Sequence, residues 1–475
     1  MTPEIFSETR RRWWTLAAVS FGLFMIMLDN TVVNVALPSI QEDLRIGLSE
    51  LEWIVTGYAL TFAALMLTGG KLADLLGRRL IFVVGLVIFT SASLWCGLAD
   101  SGDMLIAARV VQGAGAALMN PATLSIISAT FPPHQRGMAI GIWAGVSALA
   151  LAIGPLVGGL LTEHIAWNWI FFVNVPVGAV AIIASLLLID ESKDTSAEQR
   201  LDLPGLLTSG VGLFAVTYGL IEANAYGWSS GRIVGTFAIA ALSLAAFVLL
   251  ERKQRLPMLD LSLFRNTTFA GANVVVLLVA LAMFGVFFFV SLYMQGILGY
   301  SAVEAGAAFL PMTLLIILIA PVAGKATDRL GSRWLMTAGM TLVGLQLLWF
   351  SRLEIDSDFW DLLPGMLVGG VGMALTMTPS AAAAVRSVPV DKSGVGSAVL
   401  NAFRQVGGSI GIALMGALMA HEAAGRRTPE GFMDGFSLSL VVAALIAFTG
   451  AIVSLALVRS HIPRAEEAPA VELGR

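Results

Sequence analysis

The chain has 475 residues, of which 57% are hydrophobic and only 13% charged, against roughly 25% charged in ordinary soluble domains. No water-soluble core holds that much apolar side chain, so the chain reads as an integral membrane protein with the lipid bilayer as its main partner and no large extramembrane domain. A net charge of −4, with basic residues in short scattered clusters, leaves no nucleic-acid footprint, and the single cysteine, Cys96, excludes an internal disulfide framework.

The amino terminus is polar through Arg12. The apolar run that follows, 13–37, is too long and too interrupted by polar residues for a cleavable signal, and is expected to be a retained first helix. Further runs fall at 51–70, 80–98, 104–127, 138–161, 170–189, 203–222 and 232–250, then at 268–294, 305–323, 334–351, 362–384, 394–420 and 435–458. The fold class is therefore all-α, with fourteen membrane helices and both termini on one side. Of the 28 lysines and arginines, 21 fall on the terminal side, five on the opposite side and two, Arg109 and Arg404, within helices. Basic residues resist translocation, so both termini are expected in the cytoplasm. Arginine outnumbers lysine 23 to 5, which points weakly to a GC-rich bacterial source and hence to a bacterial plasma membrane.

The segment Gly70–Arg79, GKLADLLGRR, recurs as GKATDRLGSR in Gly324–Arg333, with six of ten positions identical. Both copies follow the second helix of a half, as parallel repeats about an axis along the membrane normal require. The expected organisation is two six-helix bundles, 13–189 and 268–458, with two additional helices in 203–250.

These residues resemble the fourteen-spanner drug:proton antiporters of the major facilitator superfamily, over nearly the whole chain. Leu28–Pro38, LDNTVVNVALP, is similar to that family's first-helix signature, and Gly70–Arg79 to the superfamily's loop motif. Arg109, Gln112 and Gly113 match the fourth-helix motif; Gly145 with Gly154, Pro155, Gly158 and Gly159 match the fifth-helix motif associated with antiporters. Trp167–Phe172 with Asn174, Val175 and Pro176 resembles a further signature, in which arginine is usual where Asn168 stands. The resemblance implies a multidrug efflux transporter that is not an enzyme, exporting small amphiphiles by alternating access, with no cofactor and with protons and their gradient as energy source. It is expected to act as a monomer.

Asp29 carries most of that reading. It lies about 15 residues from the Trp13/Trp14 anchor and 9 from Pro38, deep in the hydrocarbon layer, where a carboxylate costs roughly 2.5–3.5 kcal/mol. Asn30 and Asn34 lie within an arc of about 140° of it, a polar stripe unsuited to lipid. Asp29 is thus either a proton carrier or a static, hydrogen-bonded acid that packs the bundle. Arg109 sits near the same depth, where an ion pair with Asp29 is geometrically possible; the resemblance implies a part in proton transfer, and the alternative is an arginine bonded to backbone carbonyls. Gln112, three residues on, extends the network or packs.

Gly145, Gly154, Gly158 and Gly159 with Pro155 are expected to make a close-packed, bendable gating helix, or ordinary membrane packing. Gly70, Asp74, Gly77, Arg78 and Arg79, with Asp328 and Arg333 in the second copy, are expected to latch the cytoplasmic side or merely to fix topology. Glu222 is expected at the outer interface, with substrate exit as the alternative. Arg404 and Gln405 line the cavity or join the bundles. No acid lies between Glu304 and Asp328 or between Asp391 and Glu422. Multivalent cations are therefore disfavoured, leaving monovalent cationic, zwitterionic or neutral amphiphiles. Phe284, Phe287–Phe289, Met283 and Met294 line a polyspecific cavity or belong to the core. A dedicated exporter of one metabolite, lipid or self-made antibiotic is the second functional reading and an uptake carrier the third. An enzyme is disfavoured because His134, His164, His421 and His461 have neither metal-ligand spacing nor a paired nucleophile.

Overall fold

The structure is a computed structural model that describes residues 8–193, 202–254, 257, 259–388, 393–423 and 428–459. The first half contains α1 (Glu8–Leu44), α2 (Leu48–Leu76), α3 (Arg78–Gly97), α4 (Gly102–Thr130), α5 (Pro133–His164), α6 (Trp169–Phe172) and α7 (Asn174–Leu188). Helices α8 (Leu203–Tyr226) and α9 (Gly231–Lys253) follow. The second half contains α10 (Thr267–Gly296), α11 (Ala302–Ala308), α12 (Leu310–Leu330), α13 (Ser332–Phe350), α14 (Phe359–Arg386), α15 (Ser393–Ala423) and α16 (Pro429–Leu457).

The short α6 runs into α7, and α11 into α12, each pair making one span. The described residues therefore form fourteen rods running alternately up and down. Twelve of them are long and apolar enough to cross a membrane by length and composition; α5 and α13 are the other two. Helices overrun the apolar sequence runs at their ends. At 37 residues α1 is about 55 Å long, well over the roughly 30 Å of hydrocarbon, and it continues through Pro38 to Leu44 where the run of apolar residues suggested an end at 37.

In the first half α1 packs on α5, α4 and α7, and α4 on α2 and α3; in the second, α10 packs on α15 and α16, and α14 on α12 and α13. The pair α8–α9 stands outside these groups. Helix α9 packs chiefly on α8, while α8 touches α2 of one half and α15 of the other.

The two faces of the molecule differ. At the face away from the described chain ends, the far face, Gln295 Nε2 of α10 donates to the Val35 carbonyl of α1 at 2.9 Å, and the Val303 N–H of α11 donates to Glu163 Oε2 of α5 at 2.9 Å. Backbones meet there too. Gly159 of α5 lies against the Ala302 carbonyl and Gly306 of α11 against the Pro155 carbonyl, with no room for a side chain at either. At the near face every described hydrogen bond stays within one half: Arg78 N–H to Ser192 O, Arg79 with Glu191, Asn266 Nδ2 to Ser387 O. Among the described residues, the hydrogen bonds and backbone contacts named above that close the halves on each other lie at the far face.

Glycine packing in α4 offers a direct check. A side chain at Gly113 meets the Tyr58 carbonyl of α2, whereas one at Gly145 meets nothing within 4 Å. Gly113→Val is expected to destabilise the protein by about 1–3 kcal/mol and to lower its apparent melting temperature in detergent, while Gly145→Ala leaves that temperature unchanged.

Candidate functional site

Asp29 is fully buried, and so are Arg109 and Gln112 of α4. Arg109 Nη1 donates to Asp29 Oδ2 at 2.5 Å and to Gln112 Oε1 at 2.6 Å; Gln112 Nε2 donates to Asp29 Oδ1 at 3.0 Å. Three side chains on two antiparallel helices therefore close a ring of charge-assisted bonds, stronger than neutral ones in a medium without water. Arg109 Nε donates to the Ile54 carbonyl of α2 at 3.1 Å, and its guanidinium lies 4.2 Å from the centre of the Tyr58 ring. The Cys96 thiol of α3 reaches Gln112 Oε1 at 3.6 Å. Arg109 is thus both the counter-ion of Asp29 and an arginine bonded to backbone.

The register of the helices makes this possible. Gly69, Gly113 and Gly115 bring α2, α3 and α4 into backbone contact, and Gly22 admits Phe82 of α3 beside α1. Residues at these positions with side chains would hold the helices apart and leave Arg109 short of the Ile54 carbonyl. Tyr58 and Ile54 were not singled out in the sequence: a backbone acceptor carries no residue signal, and Tyr58 lies in an apolar run like any packing aromatic.

The expected polar stripe on α1 divides in two. Asp29 points into its own bundle, whereas Asn30 and Asn34 are half-exposed and bond back to their own helix, at Ile26 O (2.9 Å) and Asn30 O (3.3 Å). An arc of 140° is wide enough for one end to face a partner helix and the other open space. Nearer the start of α1, a cavity of about 420 Å³ between α1 and α5 is lined by Leu16, Ser20, Phe24, Ile142 and Val146 among others, and is largely apolar.

The remaining residues lie apart from this ring. Glu222 of α8 accepts from Ser49 Oγ at 2.8 Å and Trp53 Nε1 at 3.3 Å, at the junction with α2. Arg404 is half-buried, Gln405 is buried, and Arg404 Nε and Gln405 Nε2 have no hydrogen-bond partner among the described residues. Met283, Phe288, Phe289 and Met294 are core; Phe284 and Phe287 are partly buried against it.

In the repeated loop segment, Gly70 packs on Pro121, and Asp74 of α2 pairs at 3.1 Å with Arg78, the first residue of α3. Gly77 takes φ +131°, a conformation open to glycine, and leaves room for the Glu191 carboxylate, which accepts from the Arg79 and Leu80 N–H groups and caps α3. The partners of Arg78 and Arg79 thus belong to the same half. Arg333 Nε has no hydrogen-bond partner among the described residues, and its guanidinium stands 5.4 Å from the Trp334 ring; the Asp328 side chain lies outside the described residues.

In the fifth-helix motif Gly154 and Gly158 pack on Thr31 and Val32 of α1, and Pro155 and Gly159 on α11. Gly145, expected with the others in a close-packed helix, borders open space instead. Trp167 Nε1 donates to Asp43 at 2.7 Å, and Asn174 Nδ2 to Ser93 Oγ at 3.0 Å, so the last first-half signature ties α6 and α7 to α1 and α3.

The family model for the Major Facilitator Superfamily matches residues 19–412, and again 272–474. The chain belongs to the major facilitator superfamily. Among relatives of this superfamily member, the tetracenomycin C resistance and export protein of Streptomyces glaucescens is 38% identical over 86% of this chain and 76% of its own. The puromycin resistance protein of Streptomyces alboniger is 36% identical over 96% of this chain and 93% of its own. A multidrug resistance protein of Mycobacterium tuberculosis is 37% identical over 86% and 76%. In fold the chain is similar to a bacterial homolog of the human lysosomal transporter Spinster in an inward-facing, unoccupied conformation (TM-score 0.68, 17% identity, 95% of this chain and 97% of that one). It is also similar to an auto-inhibited POT family peptide transporter (TM-score 0.70, 14% identity, 97% and 99%). The superfamily is one of transporters, so this is a multi-pass membrane transporter rather than an enzyme.

Breaking the buried pair from one side leaves an uncompensated charge. Arg109→Gln is expected to cost about 3–5 kcal/mol of stability, and Arg109→Gln with Asp29→Asn to cost clearly less than the two single changes added together. Thermal unfolding of the four proteins as a double-mutant cycle measures that coupling.

Proposed function

We propose that this transporter exports small amphiphilic drugs or antibiotics from a bacterial cytoplasm in exchange for protons, by alternating access, as a monomer in the plasma membrane. The near face, with both termini, is cytoplasmic, and the present conformation is inward-facing. The orientation rests on the 21-to-5 partition of basic residues, and the direction of transport on relatives named for resistance and export. The proton gradient is the energy source: one charge crossing 100 mV is worth about 2.3 kcal/mol.

The observation that carries the proton coupling is the ring of Asp29, Arg109 and Gln112. A carboxylate is worth burying in a bilayer when it has a function and a counter-ion. Here an arginine that never deprotonates donates to Asp29, as a counter-ion to a carboxylate would. A proton added to Oδ2 displaces Nη1 and neutralises the acid. Arg109 then keeps the Ile54 carbonyl, Gln112 Oε1 and the Tyr58 ring, so loading does not strand it. The proton is taken up when the site faces outside and released when it faces the cytoplasm, where the pair re-forms as seen in this structure.

Cargo does not meet Asp29 directly. Asn30 and Asn34, on the neighbouring face of α1, offer it polar contacts, and the apolar surface around Phe24 and Ile142 takes its hydrophobic part. Such a surface favours monovalent cationic or zwitterionic amphiphiles over multivalent cations. The second reading, a dedicated exporter of a single antibiotic, is favoured by relatives named for tetracenomycin C and puromycin.

In proteoliposomes with an imposed pH gradient, screened against chemically varied amphiphiles, the wild type is expected to drive export of several. Asp29→Asn is expected to abolish gradient-driven export while remaining in the membrane. Undiminished export by Asp29→Asn removes it from the coupling, and transport of one compound alone selects the dedicated exporter.

A further inference from the structure

A second buried acid lies on the far side of the membrane domain, and the ring around Asp29 does not use it. Glu52 of α2 is 3% exposed, in an apolar turn that begins at Leu51. Its carboxylate is pressed onto the backbone of α15 at Gly416, in the space where a side chain at that position would stand. Glu52 is therefore part of the seam by which the two halves close at the far face. A second carboxylate, Glu222 of α8, is brought to the same junction by its bonds to Ser49 and Trp53, which flank Glu52 in α2.

Helix α8 ties this junction together from outside. Glu222 accepts from Ser49 and Trp53 on α2, and Asn224 Nδ2 donates to the Ala417 carbonyl of α15 at 2.7 Å, one residue past Gly416. The other titratable or charged groups on the surrounding elements are committed or distant. Glu50 on α2 accepts from the Gly47 N–H; Arg109 on α4 is held by Asp29; Arg232 of α9 donates to the Tyr218 hydroxyl on α8; His421 and Glu422 are exposed at the end of α15. Among the described residues no cation reaches Glu52.

We propose that Glu52 is a second proton-binding site, loaded from the outer medium, whose neutral form is the one that closes the far-face gate. An ionised carboxylate is disfavoured in a buried seam against Gly416 with a second carboxylate at the same junction, whereas the neutral acid loses little by being buried there. When α2 and α15 part at Gly416, the same group meets outside water and ionises as an ordinary glutamate does at neutral pH. Closing the far face therefore takes up one proton. The equilibrium shifts toward the closed form by up to roughly tenfold for each unit of falling pH in the window between the two forms' titrations. The additional helices thereby acquire a role, since α8 supplies the second carboxylate and holds α2 to α15.

The proposal rests on the reading of the far face as the outer one, and its test is independent of that orientation. Asp100→Cys and Asp356→Cys place spin labels on exposed far-face loops of the two halves, and the fully buried Cys96 does not compete for the label. In nanodiscs, where both faces share one pH, the inter-label distance is measured by electron–electron resonance from about pH 5 to about pH 9, on either side of neutrality. The wild type and Asp29→Asn are expected to shift toward the long, open distance as pH rises. Glu52→Gln, an uncharged isostere, is expected to stay short throughout. Gly416→Ala, which evicts the carboxyl group, is expected to be long even at low pH. A pH response in Glu52→Gln equal to that of the wild type, no response in the wild type, or a response lost equally in Asp29→Asn overturns the proposal. Failure of Asp29→Asn to impair export, by contrast, leaves this result untouched and bears on the coupling ring alone.

Discussion

A guanidinium and a carboxylate share one desolvated site between α1, α2 and α4, and much of the first half is arranged to make that tolerable. Taking two ions out of water costs several kcal/mol each after relaxation, and their attraction repays it only when the remaining donors and acceptors are satisfied. Arg109 meets that condition with a carboxylate, a side-chain amide, a backbone carbonyl and an aromatic face. Each contact demands close helices, and the glycines at 69, 113 and 115 supply the approach. Stability alone does not call for such a pair, since apolar residues of similar volume fill a bundle as well.

The gate and the ring are mechanically joined through α1 and α5. Gly154 and Gly158 seat α5 on Thr31 and Val32, within one turn of Asp29, and the same stretch of α5 seats α11 of the other half at Pro155 and Gly159. The packing around Asp29 and the contact between the halves therefore share α5. Packed backbones without intervening side chains are bistable: they meet or they part. The near face has no comparable seam among the described residues, which is why the charged loop after α2 makes its contacts inside its own half.

Much of this was legible in the sequence because the bilayer enforces it. Hydrophobic length marks spans, and an acid within such a length stands out against its surroundings, so Asp29 and Arg109 were visible from residue type and depth. What stayed hidden depended on three-dimensional register. The direction in which Asp29 points differs from that of Asn30 by one step of the helix, and only packing decides which of them faces a partner. Gly145 reads like Gly154 in the sequence, yet one borders open space and the other a threonine. Glu52 sits at the start of an apolar run, where an acid ordinarily marks a solvated helix terminus; its burial follows from Gly416, more than 360 residues away in the chain.

We propose that Asp29 alternates during the cycle between a carboxylate paired to Arg109 and a neutral acid. Infrared difference spectroscopy of the membrane-reconstituted protein, stepped from alkaline to acidic pH, reads the carbonyl stretch of protonated carboxylic acids directly. The account predicts a band that grows on acidification in the wild type and has a component missing from Asp29→Asn. Difference spectra that coincide for the two proteins in the carboxylic-acid region would contradict it.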